Sequence, residues 1–377
     1  MKRIFKVLLI FLLSVLLCGS VVQASERIKI GVEAPITGQF AYDGMGMLNA
    51  TKLIIEQYNA KGGVLGRQLE IVSCDDEGSP MKAAICAKDL VNQGVVMVVG
   101  AYTSSCALAV QETYQRANVL FGSATSADDL THRGYWTYFR SCIPNSRFGT
   151  FAADYMVKFK KYKRIAIISD FSSYSDNMAE VTEESIKKIG GNVIVRQKIK
   201  SGTQNFSPVL TKIKSMKPDV IYFTGYYADG GILRAQQAAL RIKADFIAGE
   251  SNDNPGFFKL AGAALEGTYI INVPTPSMLP YEVATKFRQD YKSKFGEDVP
   301  SIVTLYQADA LMFLLEAIKK VGSTDAKTVA DYLHTLKDFP GTTGPITFDE
   351  KGERIDAGAL AFIFHQDGSR DIVYPKQ

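Results

Sequence analysis

Residues 28–38 read Ile28-Lys29-Ile30-Gly31-Val32-Glu33-Ala34-Pro35-Ile36-Thr37-Gly38, a short strand of buried type that hands over to a loop of small residues. In an open α/β sheet, ligands bind just beyond such a strand's carboxyl end. Upstream, Lys2, Arg3 and Lys6 precede the apolar run Val7–Leu17, and Val22-Gln23-Ala24 offers small residues at the positions a signal peptidase reads. Residues 1–24 are therefore expected to be an export leader, cleaved after Ala24. The run falls short of the roughly 20 residues that span a bilayer, and no later run is longer. Cys18 suggests a lipid anchor, but the bulky Leu17 before it speaks against one.

Downstream, strand-like runs recur at Leu69–Ser73, Val95–Val99, Val119–Phe121, Ile165–Ser169, Val193–Arg196, Val220–Phe223, Phe246–Ala248 and Tyr269–Asn272, with segments of helical period between them. That alternation specifies an α/β fold of parallel sheets flanked by helices. Met47–Asn59 has helical spacing and ends at Lys61-Gly62-Gly63, and Lys187-Lys188-Ile189-Gly190-Gly191 repeats the glycine stop, so two similar halves are expected. After Asn272 the pattern changes to helices over Tyr281–Phe295, Ile302–Val321 and Ala326–Leu336, read as layers added back to an existing sheet. Gln366-Asp367-Gly368-Ser369 is expected to turn a hairpin. The roughly 350 residues left after cleavage exceed what one core organises, which predicts two domains.

Loss of the leader removes three cations and no acid, taking the net charge from +4 to +1. A near-neutral chain has no electrostatic footprint for nucleic acid. Cys74, Cys86, Cys106 and Cys142 remain, an even number that suggests disulfides in an oxidising compartment, with three connectivities open and four buried free thiols as the alternative. His132, His334 and His365 lie far apart and no C-x-x-C pair occurs, so neither a metal nor a cofactor is expected. G-x-S-x-G, P-loop and H-E-x-x-H motifs are missing, and no enzyme is expected. Asp75-Asp76-Glu77 reads as a solvated turn capping the helix after Pro80 rather than a cation cluster.

Hydroxyl residues concentrate after two strands of the first half, in Gly100-Ala101-Tyr102-Thr103-Ser104-Ser105 and Gly122-Ser123-Ala124-Thr125-Ser126. If Ser104 begins a helix, its hydroxyl and the unpaired first-turn amides form a carboxylate site; equally, Ser104 could do no more than cap that helix. In the second half, Tyr174, Tyr226, Tyr227 and Glu250 follow strands in equivalent places; taken alone, Glu250 would more often be a surface acid or a helix cap and the paired tyrosines equally packing residues. Anion donors thus cluster in one half and a cation acceptor lies in the other.

With these residues in view, the chain resembles the periplasmic solute-binding proteins of ABC transporters, in the type I branch that includes the leucine/isoleucine/valine-binding proteins. The resemblance is carried, in order along the chain, by Ala34-Pro35-Ile36-Thr37-Gly38, Asn59-Ala60-Lys61-Gly62-Gly63, Asp75-Asp76, Leu130-Thr131-His132-Arg133-Gly134-Tyr135, Gly249-Glu250 and Thr347-Phe348-Asp349-Glu350-Lys351-Gly352. It implies two doubly wound parallel-sheet lobes joined by a three-crossing hinge, divided as 25–144 plus 274–356 and 145–273 plus 357–377. Carried onto this sequence, it implies that Ser104 and Ser126 hold a ligand carboxylate, that the Ala124 carbonyl and Glu250 take its α-ammonium, and that Tyr174 and Tyr226 line the second lobe's wall. Ser105 joins them as part of the hydroxyl loop. Tyr102 stands where branched-chain binders carry an aliphatic residue. Asp43 stands in register with a first-lobe tyrosine, with Tyr42 one place earlier, so either could face the cleft. The usual first-lobe disulfide would need cysteines near Gly78 and Thr103, which are missing; Cys74 with Cys86 and Cys106 with Cys142 are the pairings that suggest themselves.

The function so implied is that of a noncatalytic, monomeric periplasmic receptor that captures an amino acid, branched-chain or related, and delivers it to an inner-membrane ABC permease. Other readings keep the fold. The Gly100–Ser105 loop also looks like that of amide- and urea-binding relatives, and Tyr102 could stack on an aromatic acid. A ligand-sensing module with a separate signalling partner, or an exported hydrolase, would use the same scaffold.

Overall fold

The computed structural model describes residues 26–355 and 358–375, so the proposed leader and its cleavage site lie outside the described residues. Two sheets dominate. The first has the order β2-β1-β3-β4-β5 and is parallel throughout, formed by β1 (Ile28–Ala34), β2 (Leu69–Asp75), β3 (Met97–Gly100), β4 (Leu120–Ser123) and β5 (Tyr138–Arg140). The second contains β6 (Ile165–Ser169), β7 (Val193–Lys198), β8 (Val220–Phe223), β9 (Asp245–Ala248) and β10 (Thr268–Asn272), which run parallel. A small hairpin, β11 (Phe339–Gly341) with β12 (Gly344–Ile346), stands apart. The antiparallel strands β13 (Leu360–Phe364) and β14 (Arg370–Tyr374) then complete the second sheet beside β10.

The central strands explain why these runs pair as parallel sheets. β3, β6 and β8 are buried along their whole length, as expected when helices cover both faces of a sheet. Each fully buried Val, Ile or Phe contributes about 1.5–3 kcal/mol of apolar transfer. The helix Ile302–Val321 packs on β3, β4 and the helix Ala41–Ala60, returning a late segment of chain to the first sheet. The helix Asn145–Ala153 packs on Ser173–Lys188 beside the second. The chain therefore passes between the two lobes three times, after β5, after β10 and before β13.

Most expected elements form within one or two residues of their predicted ends, and Ile302–Val321 forms over the predicted residues. β5, the β11–β12 hairpin and the helical stretch 145–159 went unread. β5 has three residues and ends on the fully buried Arg140, so it has neither the length nor the apolar composition of a strand signal. The helical stretch 145–159 begins after Pro144 on the polar Asn145 and Ser146 and changes to a π-turn at Asp154.

Asp75 and Asp76 correct the solvated-turn reading. Asp75 accepts from the Ile36 amide (2.9 Å) and the Thr37 hydroxyl (2.6 Å), tying the end of β2 to the loop after β1. Asp76 is fully buried and accepts from the Gly78 amide at 2.7 Å, while Ser79 caps the helix Pro80–Asn92. A disulfide joins Cys74 to Cys86 with the Cα atoms 5.6 Å apart. The suggested Cys106–Cys142 pairing does not form. Cys106 is buried in the helix Ser104–Ala117, Cys142 lies in the crossing after β5, and both thiols are free.

Candidate functional site

A cavity lies between the lobes, with an empty volume of about 620 Å³ including its open mouth. Loops from the carboxyl ends of both sheets build it. The first sheet reverses its winding between β1 and β3 and the second between β6 and β8, and such switch points leave a crevice between adjacent loops. The first lobe contributes Asp43, Tyr102, Ser104, Ala124, Thr125 and Ser126. Tyr174, Tyr226, Glu250, Ser251, Asp253 and Asn254 come from the second. Cys142, Phe148, Ser301, Ile302, Val303 and Tyr306 close it near the crossings.

Local backbone chemistry sets these positions. Gly100 has φ +146°, and a Cβ there would sit 1.9 Å from the Glu33 carbonyl oxygen, so only glycine lets the chain leave β3 against β1. Thr103, rather than Ser104, caps the next helix, accepting from the Cys106 amide at 3.2 Å. That removes the capping reading of Ser104: it is the first helical residue, its hydroxyl accepts from the Ala127 amide at 3.2 Å, and it lines the cavity. The loop after β4 is held from behind by Arg140, which donates to the carbonyls of Thr125 (2.6 Å) and Ala127 (2.9 Å) and pairs with Glu353 at 2.8 Å.

Glu250 opens a short 3-10 turn directly after β9. It accepts from the Tyr174 hydroxyl at 2.8 Å and also has the Ser126 hydroxyl as a partner. Gly249 permits the first contact, because a Cβ there would lie 3.0 Å from the Tyr174 oxygen. Burial pushes the Glu250 carboxyl up to about 7, against these hydrogen bonds, which favour its charged form. Burial likewise raises Asp43 to about 6, against hydrogen bonds from Ser301, Tyr102 and Asn254.

The cavity thus gathers Tyr102, Ser104, Ala124, Ser126, Tyr174, Tyr226, Glu250 and Asp43 from the residues named in the sequence. It does not gather Ser105, Tyr42 or Tyr227. Ser105 is one residue further round the helix than Ser104, and its hydroxyl meets the Ser173 amide at 3.0 Å in the other lobe. Tyr42 is 40% exposed, with its hydroxyl donating to the Pro300 carbonyl at 3.3 Å, while Asp43 turns inward. Sequence reading missed Ser251, Asp253 and Asn254, although their proximity to Glu250 was a usable signal. Cys142, Phe148 and 301–306 carry no local signal, because they reach the cavity only through the crossings.

Several contacts bridge the lobes. Asn254 donates to Asp43 at 3.0 Å, the Asp128 amide to Asn177 at 3.1 Å, and the Tyr227 hydroxyl to the Gln39 carbonyl. Phe40 and Tyr102 of the first lobe meet Tyr226 of the second at ring distances of 4.9 and 5.8 Å. Two lobes around a largely apolar crevice that carries carboxyls and hydroxyls at fixed points suit capture of a small charged molecule. Among the described residues no His, Cys, Asp and Glu cluster has the make-up to hold a metal ion, and no helix is long and apolar enough to cross a membrane.

Residues 27–366 match the family described as periplasmic binding protein. The chain belongs to that family. This periplasmic binding protein is 32% identical over 333 residues to the Leu/Ile/Val-binding protein BraC3 of Rhizobium johnstonii, a match covering 88% of this chain and 89% of that one. Its fold matches a leucine-binding protein, LivK, of Thermotoga maritima with a TM-score of 0.85 at 28% identity, over 92% of this chain and 97% of the other. A second match is the branched-chain amino acid substrate-binding protein LivJ of Streptococcus pneumoniae in complex with isoleucine. There the TM-score is 0.83 at 26% identity, over 93% of this chain and all of that one.

Proposed function

We propose that this protein is an exported receptor that captures an amino acid between its lobes and delivers it to an inner-membrane ABC permease. The observation that carries this reading is the pairing, in one cavity, of hydroxyls at Ser104 and Ser126 with the carboxyl of the half-buried Glu250. The Ser104 hydroxyl and the first-turn amides of its helix suit a carboxylate, since that helix end carries partial positive charge. The Ala124 carbonyl and Glu250 suit an α-ammonium. Hydrogen bonds to charged groups are roughly twice as strong as neutral ones, so replacing water around both ligand charges holds the zwitterion.

Family membership and the relatives that bind branched-chain amino acids support the same reading. The bodies that close are residues 25–144 plus 274–356 and 145–273 plus 357–377, and the leader is removed after Ala24, leaving a monomer in the periplasm. An uncharged amide or a simple aromatic acid has no ammonium to offset Glu250, which disfavours those ligands. Glu250→Gln tests the assignment: calorimetry with the amino acid found to bind should show affinity falling well over tenfold, because a charge pair loses one member inside an enclosed site. Unchanged affinity would overturn it.

A further inference from the structure

Resting on that amino-acid reading, we propose that the ligand's side chain ends in a hydrogen-bond donor, N–H or O–H, received by Asp43. Three carboxylates line this cavity, of which Asp253 is already paired with Arg370; one α-ammonium engages only one of the other two, and Glu250 is the one that shares Ser126 with the carboxylate end. Asp43 is the other, 2% exposed and fixed in the first turn of the helix Ala41–Ala60. Two glycines press that turn into place. A Cβ at Gly44 would lie 2.0 Å from the Pro35 carbonyl oxygen, and one at Gly46 would lie 2.5 Å from the Thr304 hydroxyl.

The partners of Asp43 are all neutral. Ser301 donates to one oxygen at 2.6 Å, Asn254 to the other at 3.0 Å, and the Tyr102 hydroxyl is also a hydrogen-bond partner. A carboxylate offers about four acceptor sites, so these leave room for a further donor. Among the described residues no Lys, Arg or His forms an ion pair with Asp43, whereas neighbouring Asp253 pairs with Arg370. Around it the wall is largely apolar, with Tyr226, Phe148, Ile302 and Tyr306. A side chain with an apolar stem and a donor at its tip matches that arrangement; a wholly aliphatic one would cover a buried carboxylate without replacing the water it displaces.

Shape-matched ligand pairs test this by calorimetry on the purified protein. Threonine against valine compares a hydroxyl with a methyl group, and lysine against norleucine an ammonium with the same chain lacking it. The expected result is that the donor-bearing member of at least one pair binds at least about tenfold tighter; the pair that responds distinguishes a neutral donor from a cationic one. Asp43→Leu should abolish the preference. Asp43→Asn, which keeps the side chain's size, should reduce it and will serve if the leucine variant does not fold. Equal or tighter binding of valine and norleucine to the wild type would overturn the proposal, as would an Asp43→Asn variant weakened equally for both members of a pair, which marks Asp43 as only a cross-lobe tie to Asn254. Absence of binding by every amino acid overturns the amino-acid reading and this proposal together; aliphatic preference overturns this proposal alone.

Discussion

Glu250 and Ser104 show how far a single residue's position decides its chemistry. Glu250 follows a buried strand and is enclosed by Tyr174 and Ser126, so its carboxyl resists ionisation although hydrogen bonds favour the anion. A pH dependence follows from this. Ammonium binds the ionised carboxylate, and in the unliganded protein that form predominates only above about 7. Below that point a proton must leave for the ligand to bind. Affinity is therefore expected to be constant above about pH 7 and to fall as pH drops through it, approaching a tenfold loss per unit. Calorimetry across pH 5.5–8.5 in buffers of different ionisation enthalpy should also detect the released proton at the acidic end; a flat profile would contradict the ion-pair role. For Ser104, spacing left capping and ligand binding balanced. The neighbouring Thr103 takes the cap in the folded chain, which leaves the Ser104 hydroxyl turned toward Ala127 and the cavity.

At the scale of elements, strands buried on both faces were legible because parallel sheets between helices produce continuous apolar runs, as in Ile165–Ser169 and Val220–Phe223. The Gly62-Gly63 stop was legible for a different reason: both residues take positive φ, which glycine tolerates without strain. β5 was hidden, since its defining residue is a buried arginine whose partners Thr125, Ala127 and Glu353 are spread along the chain. The Cys74–Cys86 bridge staples the end of β2 to the helix Pro80–Asn92, outside the cavity wall. Closing a loop of this size stabilises by roughly 3 kcal/mol in the chain-entropy account. Replacing both cysteines by serine should lower unfolding stability by an amount of that order in urea titrations while leaving ligand affinity within about twofold. A large loss of affinity would show that the staple also shapes the site.

For the whole molecule, the two lobes touch across the cavity through Asn254 and Asp43, Ser173 and Ser105, Asp128 and Asn177, and Tyr227 and Gln39. Polar contacts and an aromatic cluster of this kind are ones that a hinge can break and remake. A ligand shifts such an equilibrium only by binding the closed form better than the open one. Small-angle scattering should show a smaller radius of gyration when the bound amino acid is added, and ligand at 100 times its dissociation constant should stabilise the fold by about 2.7 kcal/mol; an unchanged radius would argue against hinge closure. The amino-acid sequence by itself determined the α/β class, most strands and helices, and which turns carry hydroxyls and acids, because periodicity, glycine stops and strand-end chemistry are local. Only the tertiary structure decided that Asp43 rather than Tyr42 turns inward, that Ser105 bridges to Ser173, that Cys106 and Cys142 stay apart, and that 301–306 complete the cavity. Those outcomes depend on segments far apart in the chain meeting at the crossings, where the helix 41–60 is pressed against Pro35 and Thr304, and no local pattern encodes such a meeting.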